Sequence, residues 1–476
     1  MEEFDVVVIG AGPGGYPAAI RAAQLGARTA IVEKESLGGT CLNWGCIPSK
    51  ALIASAELYS RLKSAAEMGI RVEGMSFDYA AMVRRKDQIV ERLYKGVKQL
   101  LDANGVKTFK GTGSFESRNR VAVTPADGPS DILGAAKVIL ATGSTASMPG
   151  FLPRHERVVE SRAFLDRKSL PASVIVLGGG IVGCEFAGLL AHLGVQVTVV
   201  ELLEDILPGL DADVRKEVRR HMEKSLNVRV LTGKPLEKIA ADDRGVRGEF
   251  AGEKLEAQLL LAAVGRRPVT DGLRLEKAGL KTTPRGTLEV DAYGRTAAAT
   301  IYAIGDVTDS PQLAHVATSQ GIVAAENACG RATGASRRRN ETCIPACIFT
   351  SPEIGVVGVG EQDAEKQGRK VRIGKFPFTS LGKALAEGEA IGFVKWIADA
   401  ETDQLLGAQA VGPHATELIA EAAAAIRSEL TSAELGHTIH SHPTFSEAWM
   451  EAAHALHGEA IHAAPRPKRE GAAAAR

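Results

Sequence analysis

The sequence predicts an α/β chain that holds two nucleotide-binding βαβ units, one of them interrupted by the other. Three observations predict it. A glycine fingerprint follows an apolar strand at residues 10–15, a second follows another at 178–183, and a short apolar strand at 301–304 stops at Gly305-Asp306. At 476 residues there is room for about three domains, each with its own core.

Composition narrows the class of partner. The formal net charge is zero and charged residues make up 24%, so nothing favours a nucleic-acid partner. Six cysteines are too few for a disulfide framework in a chain of this length, which points to a reducing compartment. The start, MEEFDVVVIG, lacks the basic residues and long apolar core of a signal peptide. No stretch reaches the ~20 apolar residues of a membrane span. A soluble cytoplasmic protein is expected.

The first unit is DVVVIGAGPGGYPAAIRAAQLGARTAIVEK. Val6 to Ile9 reads as a buried strand, and Gly10, Gly12, Gly14 and Gly15 follow it. A helix pattern runs from Pro17 to Leu25, and a second strand, Thr29 to Val32, ends at Glu33. Glycines there permit a tight turn and let the backbone approach a pyrophosphate, whose charge suits a helix N-terminus. Glu33 stands where a carboxylate accepts bonds from a ribose hydroxyl.

The same arrangement recurs in SVIVLGGGIVGCEFAGLLAHLGVQVTVVEL, with Gly178, Gly180, Gly183 and a strand ending at Glu201. Two complete fingerprints imply two dinucleotides; the alternative is one working site and one decayed copy. After Glu201 the next basic residue is Arg215, so nothing nearby suits a 2′-phosphate, and NAD is favoured over NADP. Two strand-to-glycine stops complete the pattern: ATGS at 141–144, with Thr142 and Gly143, and IYAIGDV at 301–307. Asp306 suits the ribityl hydroxyls of a flavin, although such a residue is more often a helix cap. Together these suggest a flavin domain interrupted by an inserted NAD domain.

GGTCLNWGCIPSK, residues 38–50, sets two cysteines five positions apart. They could be packing, metal ligands or a redox pair. The C-x2-C spacing of a metal site is absent and no histidine is near. A disulfide needs Cα atoms within roughly 7 Å, whereas five helical positions rise about 7.5 Å and diverge in direction. Gly45 supplies freedom to bend, Pro48 suits a first helical turn, and a helix N-terminus lowers a thiol pKa. Near the C-terminus, SHPTFSE places His442 five residues before Glu447. Thr444 and Glu447 also fit a capping box opening a helix.

These motifs, with VGRRP at 264–268, resemble those of the flavin-dependent pyridine nucleotide–disulfide oxidoreductases along nearly the whole chain. Within that family the pattern is most similar to members that oxidise dihydrolipoyl groups. The resemblance implies an α/β fold of two Rossmann-like dinucleotide-binding domains, for FAD and NAD, plus a C-terminal α+β dimerisation domain. The expected divisions are 1–145 (flavin domain, with the disulfide), 146–270 (NAD domain), 271–342 (flavin domain continued), 343–463 (interface domain) and 464–476 (disordered tail). Cys41 and Cys46 would form the redox disulfide, Cys41 outermost and Cys46 against the flavin. His442 would be the base, oriented by Glu447, and would reach the active site of the other subunit of a homodimer. Whether Glu447 orients His442 or caps a helix stays open.

Lys50 and Glu185 resemble the pair beside the flavin's reactive nitrogen, although Glu185 could equally face solvent. Gly265 of VGRRP joins the cofactor contacts. No metal is expected. The expected partner is a lipoyl-bearing acyltransferase or glycine-cleavage carrier protein. Alternatives are another disulfide reductase of the same fold, such as a glutathione- or mercuric-reductase-like enzyme, or a non-catalytic assembly subunit. The C-terminal cysteine pair of mercuric reductases has no counterpart, since the last cysteine is Cys347, and the Glu201 segment disfavours the NADP-linked glutathione reductases. Two departures stand out: Trp44 replaces a commoner small aliphatic residue, and Val269 follows VGRRP where many relatives carry asparagine.

Overall fold

A computed structural model of the chain describes residues 1–330, 336–339 and 341–464. Of the tail expected to be disordered, residues 465–476 lie outside this description. The chain folds as two compact units. Among the described residues, one is built from 1–61, 73–178 and those between 236 and 339, the other from 62–72, 179–235 and 341–464. The division falls between Gly178 and Gly179, inside the second fingerprint.

The first unit centres on β1 (Glu2–Ile9), α1 (Gly15–Gln24) and β2 (Thr29–Glu33). The sheet runs Lys107–Lys110, β2, β1, Asp131–Leu140, Arg120–Thr124, Thr112–Ser117, with Ile301–Ala303 added beside Asp131–Leu140. Side chains alternate faces along a strand, and β1 is covered on both. Val6 and Val8 pack with Ala18, Ala19 and Ala22 of α1, while Val7 and Ile9 pack with Phe115, Val138 and Leu140. That explains the unbroken apolar run in the sequence. Burying each such valine fully contributes about 1.5–3 kcal/mol, so a charge at Val7, which has no exposed surface, would be the most disruptive change here.

Register decides where the chemistry gathers. Ile9 pairs with Val32 and with Leu140, and Leu140 with Ala303, so four parallel strands end level. Gly10, Glu33, Ala141 and the Gly305–Asp306 turn therefore follow along one carboxyl edge, where ligands of such sheets bind. The same unit carries a parallel trio, Val158–Glu160, Leu259–Ala262 and Ser173–Leu177, and a three-stranded meander spanning 237–257.

In the second unit, helix Ile181–His192 leads to parallel strands Gln196–Glu201 and Arg229–Thr232. Its C-terminal part is a five-stranded antiparallel sheet ordered Ala346–Ile348, Ile354–Gly358, Leu405–Val411, Phe393–Asp399, Val371–Pro377. Helices Ala415–Arg427 and Glu447–Ala455 pack on it. Trp396 and Trp449 form its centre with ring centroids 4.7 Å apart. Both indole N–H groups are satisfied, Trp396 donating to the Trp449 carbonyl at 3.0 Å and Trp449 to the Leu418 carbonyl at 3.1 Å. Buried aromatics thus fix the angle of the last helix, which begins at Glu447.

Candidate functional site

In the first fingerprint Gly10 has φ +99°, and a Cβ there would collide with the Ala141 carbonyl. Gly12 has open space where a Cβ would stand, so its backbone is free to meet a ligand. A Cβ on Gly15 would strike the Gly10 carbonyl oxygen, and one on Gly14 would lie 3.0 Å from the Ala317 carbonyl oxygen. No side chain caps α1, so its first N–H groups keep their positive end toward this turn. Glu33 is buried and accepts from Ala11 N–H at 2.8 Å on one oxygen and from Glu35 N–H at 2.7 Å on the other. Each oxygen retains a lone pair for a ribose hydroxyl.

The second fingerprint repeats that grip. Glu201, equally buried, accepts from Gly179 N–H at 2.6 Å and Leu203 N–H at 2.8 Å. Gly180 is open at its Cβ position and Gly183 is buried in the helix. Beyond Glu201, Leu202 and Leu203 are exposed. Arg215 and Arg219 both turn to Asp205, at 3.5 and 3.0 Å. The next two arginines in the sequence are therefore already paired.

The cysteine segment is two helices, not one. α2 (Gly39–Trp44) ends at Gly45, whose φ −141° and ψ −107° break the helical path, and α3 (Cys46–Lys63) starts on the next residue. The break brings the Cα atoms of Cys41 and Cys46 to 4.6 Å and closes a disulfide between them. Asn43 fastens the turn by donating to the carbonyls of Leu37 and Gly39, at 3.0 and 2.9 Å. Cys46 stands at the first position of α3, where the helix dipole favours a thiolate. Trp44 lies under the guanidinium of Arg162, 3.8 Å from the ring centroid, and Arg162 is held by Glu35 at 2.9 Å.

At the C-terminal end, Nδ1 of exposed His442 lies 2.8 Å from Glu447 Oε1, while Glu447 Oε2 accepts from Thr444 N–H at 2.8 Å. A carboxylate on Nδ1 places the ring proton there and leaves Nε2 as the basic atom. The helix begins at Glu447 rather than at Thr444, so the carboxylate serves the turn before the helix and the imidazole together. Burial pushes the Glu447 carboxyl up, but the Thr444 amide and His442 outweigh it and hold it below the usual carboxylate range. His440 is engaged separately, with Glu421 at 2.7 Å.

The sequence model of the pyridine nucleotide-disulphide oxidoreductases matches residues 4–321, and that of their dimerisation domain matches residues 344–453. The chain belongs to this family. A dihydrolipoyl dehydrogenase of Haloferax volcanii is 45% identical, with 96% of this chain and 97% of the relative covered. Others are from Chlamydia pneumoniae, 42% identical over 98% of this chain and 99% of the relative, and Bacillus subtilis, 41% identical over 97% and 99%. Among solved structures, LpdA of Mycobacterium tuberculosis superposes with a TM-score of 0.89 at 29% identity, covering 96% of this chain and all of that one. The HOCl-induced flavoprotein disulfide reductase RclA of Escherichia coli gives 0.86 at 26% identity, with 95% and 99% covered.

Pyridine nucleotide-disulphide oxidoreductases of this kind use FAD and NAD(H), and the residues present fit both: clear glycines, an uncapped helix end, and two carboxylates with lone pairs to spare. Their dimerisation domain makes this chain one half of a homodimer. The strand stops converge as the register requires. Thr142 Oγ1 donates to the Val269 carbonyl at 2.6 Å, and Val269 N–H donates to the Gly143 carbonyl at 2.9 Å. Since Val269 acts through its backbone, asparagine is not needed for these bonds. Ser144 donates to Asp306, and Arg266 donates to Ser144, a residue set that sequence reasoning missed although both flanking motifs were in view. Glu185 is buried and accepts from Phe349 N–H at 2.9 Å, so it does not face solvent. Lys50 lies in the first turn and a half of α3. Among the described residues no three His, Cys, Asp or Glu side chains gather as a metal site, and no helix is long and apolar enough to cross a membrane.

Proposed function

We infer that the chain is a dihydrolipoyl dehydrogenase, which oxidises dihydrolipoyl groups and reduces NAD+. The observation that carries this reading is the Cys41–Cys46 disulfide closed across the Gly45 break, in a chain whose full-length relatives bear that name. His442 takes the proton from one dihydrolipoyl thiol. The resulting thiolate attacks Cys41, the Cys41–Cys46 bond breaks, and Cys46 leaves as a thiolate at the start of α3. The second substrate thiol, its proton passing to the leaving Cys41 sulfur, then displaces Cys41 from the mixed disulfide, releasing lipoyl disulfide and leaving a Cys41 thiol and a Cys46 thiolate. FAD held by the residues of the first fingerprint, Glu33 and Asp306 would supply the two-electron chemistry that links this dithiol to NAD+.

Glu447 holds the His442 tautomer. Gly10, Gly12, Gly14, Gly15, Glu33, Lys50, Thr142, Gly143, Glu185 and Asp306 are assigned to the flavin, Gly178, Gly180, Gly183 and Glu201 to NAD, and Gly265 to the cofactor contacts. The domain divisions at 145, 270, 342 and 463, a lipoyl-bearing acyltransferase or glycine-cleavage carrier as partner, and a cytoplasmic location complete the proposal. The test is an anaerobic titration with dihydrolipoamide, followed by absorbance. A long-wavelength band after two electrons, then reduction of NAD+ but hardly of NADP+, supports it. A flavoprotein untouched by dihydrolipoamide but reduced by NADPH belongs to another disulfide substrate.

A further inference from the structure

Three motifs that are far apart in sequence meet as one hydrogen-bonded unit. Strand Arg266–Pro268 pairs antiparallel with Ser144–Ala146, Pro268 opposite Ser144 and Arg266 opposite Ala146. From that ladder the Arg266 side chain turns back to Ser144 twice. Its Nε donates to Ser144 Oγ at 2.7 Å and its Nη2 to the Ser144 carbonyl at 2.7 Å. A hydroxyl that accepts from a guanidinium must point its own proton elsewhere, and Ser144 donates to Asp306 Oδ2. Arg266 Nε itself lies 3.9 Å from that oxygen. The turn carrying Asp306 is pinned independently, since Gly305 N–H donates to Gln320 at 2.8 Å.

We propose that Arg266 is a positioning residue for Asp306: through Ser144 it fixes which carboxylate oxygen stays free for a flavin hydroxyl, and it balances the charge of that carboxylate. The inference rests on the assignment of Asp306 to the flavin. With Oδ2 already accepting from Ser144, Oδ1 is the oxygen better placed to accept a hydroxyl. Without the guanidinium, the Ser144 hydroxyl is free to rotate away and the carboxylate stands uncompensated in a partly buried setting, which disfavours adding electrons to a neighbouring group. Burial pushes the Arg266 guanidinium down from its ordinary value while Asp306 and Glu160 act against that loss, as befits a cation kept for its partners.

The test compares R266Q, R266K, S144A and D306N holoenzymes by FAD dissociation, read as recovery of free-flavin fluorescence, and by the flavin midpoint potential against indicator dyes. R266Q is expected to weaken FAD binding about tenfold, the loss of a charge-assisted hydrogen bond. Reduced FAD should be weakened about tenfold more than oxidised FAD, which moves the two-electron potential by about 30 mV to the negative side. S144A should move both readouts the same way, and R266Q/S144A should be no worse than either alone. R266K should recover the potential more than the affinity, because it restores charge without the fork. S144A leaves the backbone ladder intact and carries the test if R266Q does not retain flavin. Unchanged affinity and potential in R266Q and S144A, with D306N impaired, would overturn the inference. Unchanged affinity in D306N would instead overturn the assignment of Asp306.

Discussion

Glu447 divides its two oxygens between a backbone amide and an imidazole, and that division makes separable predictions. H442Q removes the proton acceptor and should lower kcat by roughly 10²–10⁴-fold with dihydrolipoamide, measured under steady state, with flavin content unchanged. E447Q keeps an acceptor for Thr444 but offers His442 no charge, so its loss should be smaller, about tenfold. Because the folded Glu447 carboxyl lies below 4.5, its contribution to stability is present above that pH and is lost as pH falls through the depressed value. Trp44 is a second residue with a local consequence. R162Q leaves its indole face uncovered and should cost about 1 kcal/mol in urea unfolding, because the pair is partly exposed. A loss above ~3 kcal/mol would contradict so modest a role.

Elements are joined most firmly by charge in the second unit. Lys395, on strand Phe393–Asp399, is wholly buried and reaches Asp211 and Asp213, each at 2.8 Å, at the start of helix Ala212–Lys224. Burial pushes the ammonium down and the carboxyls up, but their attraction prevails, so Lys395 lies above 10.5 and both aspartates below 3.8. Lys395 therefore stabilises fully below pH 10.5 and loses this as pH rises through its raised value. The aspartates stabilise above pH 3.8 and lose it as pH falls through their depressed values. K395M should cost about 3–5 kcal/mol by denaturant midpoint, and K395M/D211L less than that, since no lone buried charge remains at Asp211. Helix Ile181–His192 ends in a second sensor. Burial among Lys63 and His221 pushes His192 down to about 4, so stability is full above pH 6.5 and falls by about 3 kcal/mol toward pH 4. H192N should flatten that fall in thermal midpoints.

At this scale the limits of sequence reading are physical. Both fingerprints and their acids were legible because strand, turn, helix and strand are contiguous and glycine has few other reasons to recur at that spacing. The break at Gly45 was legible as a need for bending, but not that the chain would split into two helices meeting at Cys46. Arg266, Ser144 and Asp306 were invisible as a set because their meeting depends on strand register across 122 and 162 residues of separation. The question left open at Glu447 had no answer in the sequence, since it turns on which residue starts a helix.

For the molecule as a dimer, the location of His442 gives a test that needs no structure of the assembly. C46A and H442Q chains are mixed, dissociated and allowed to re-pair. If each site draws its cysteines from one chain and its histidine from the other, the mixed dimer holds one complete site, and about a quarter of normal activity returns. Activity no higher than that of the parents would place the whole site in one chain. The paired grips of Glu33 and Glu201 carry a different consequence. Each is a carboxylate held by two main-chain amides, so what recognises the nucleotide is inherited with the path of the backbone. GAGPGG and GGGIVG share three glycines and no other residue, so two different sets of side chains build the same grip from main-chain amides.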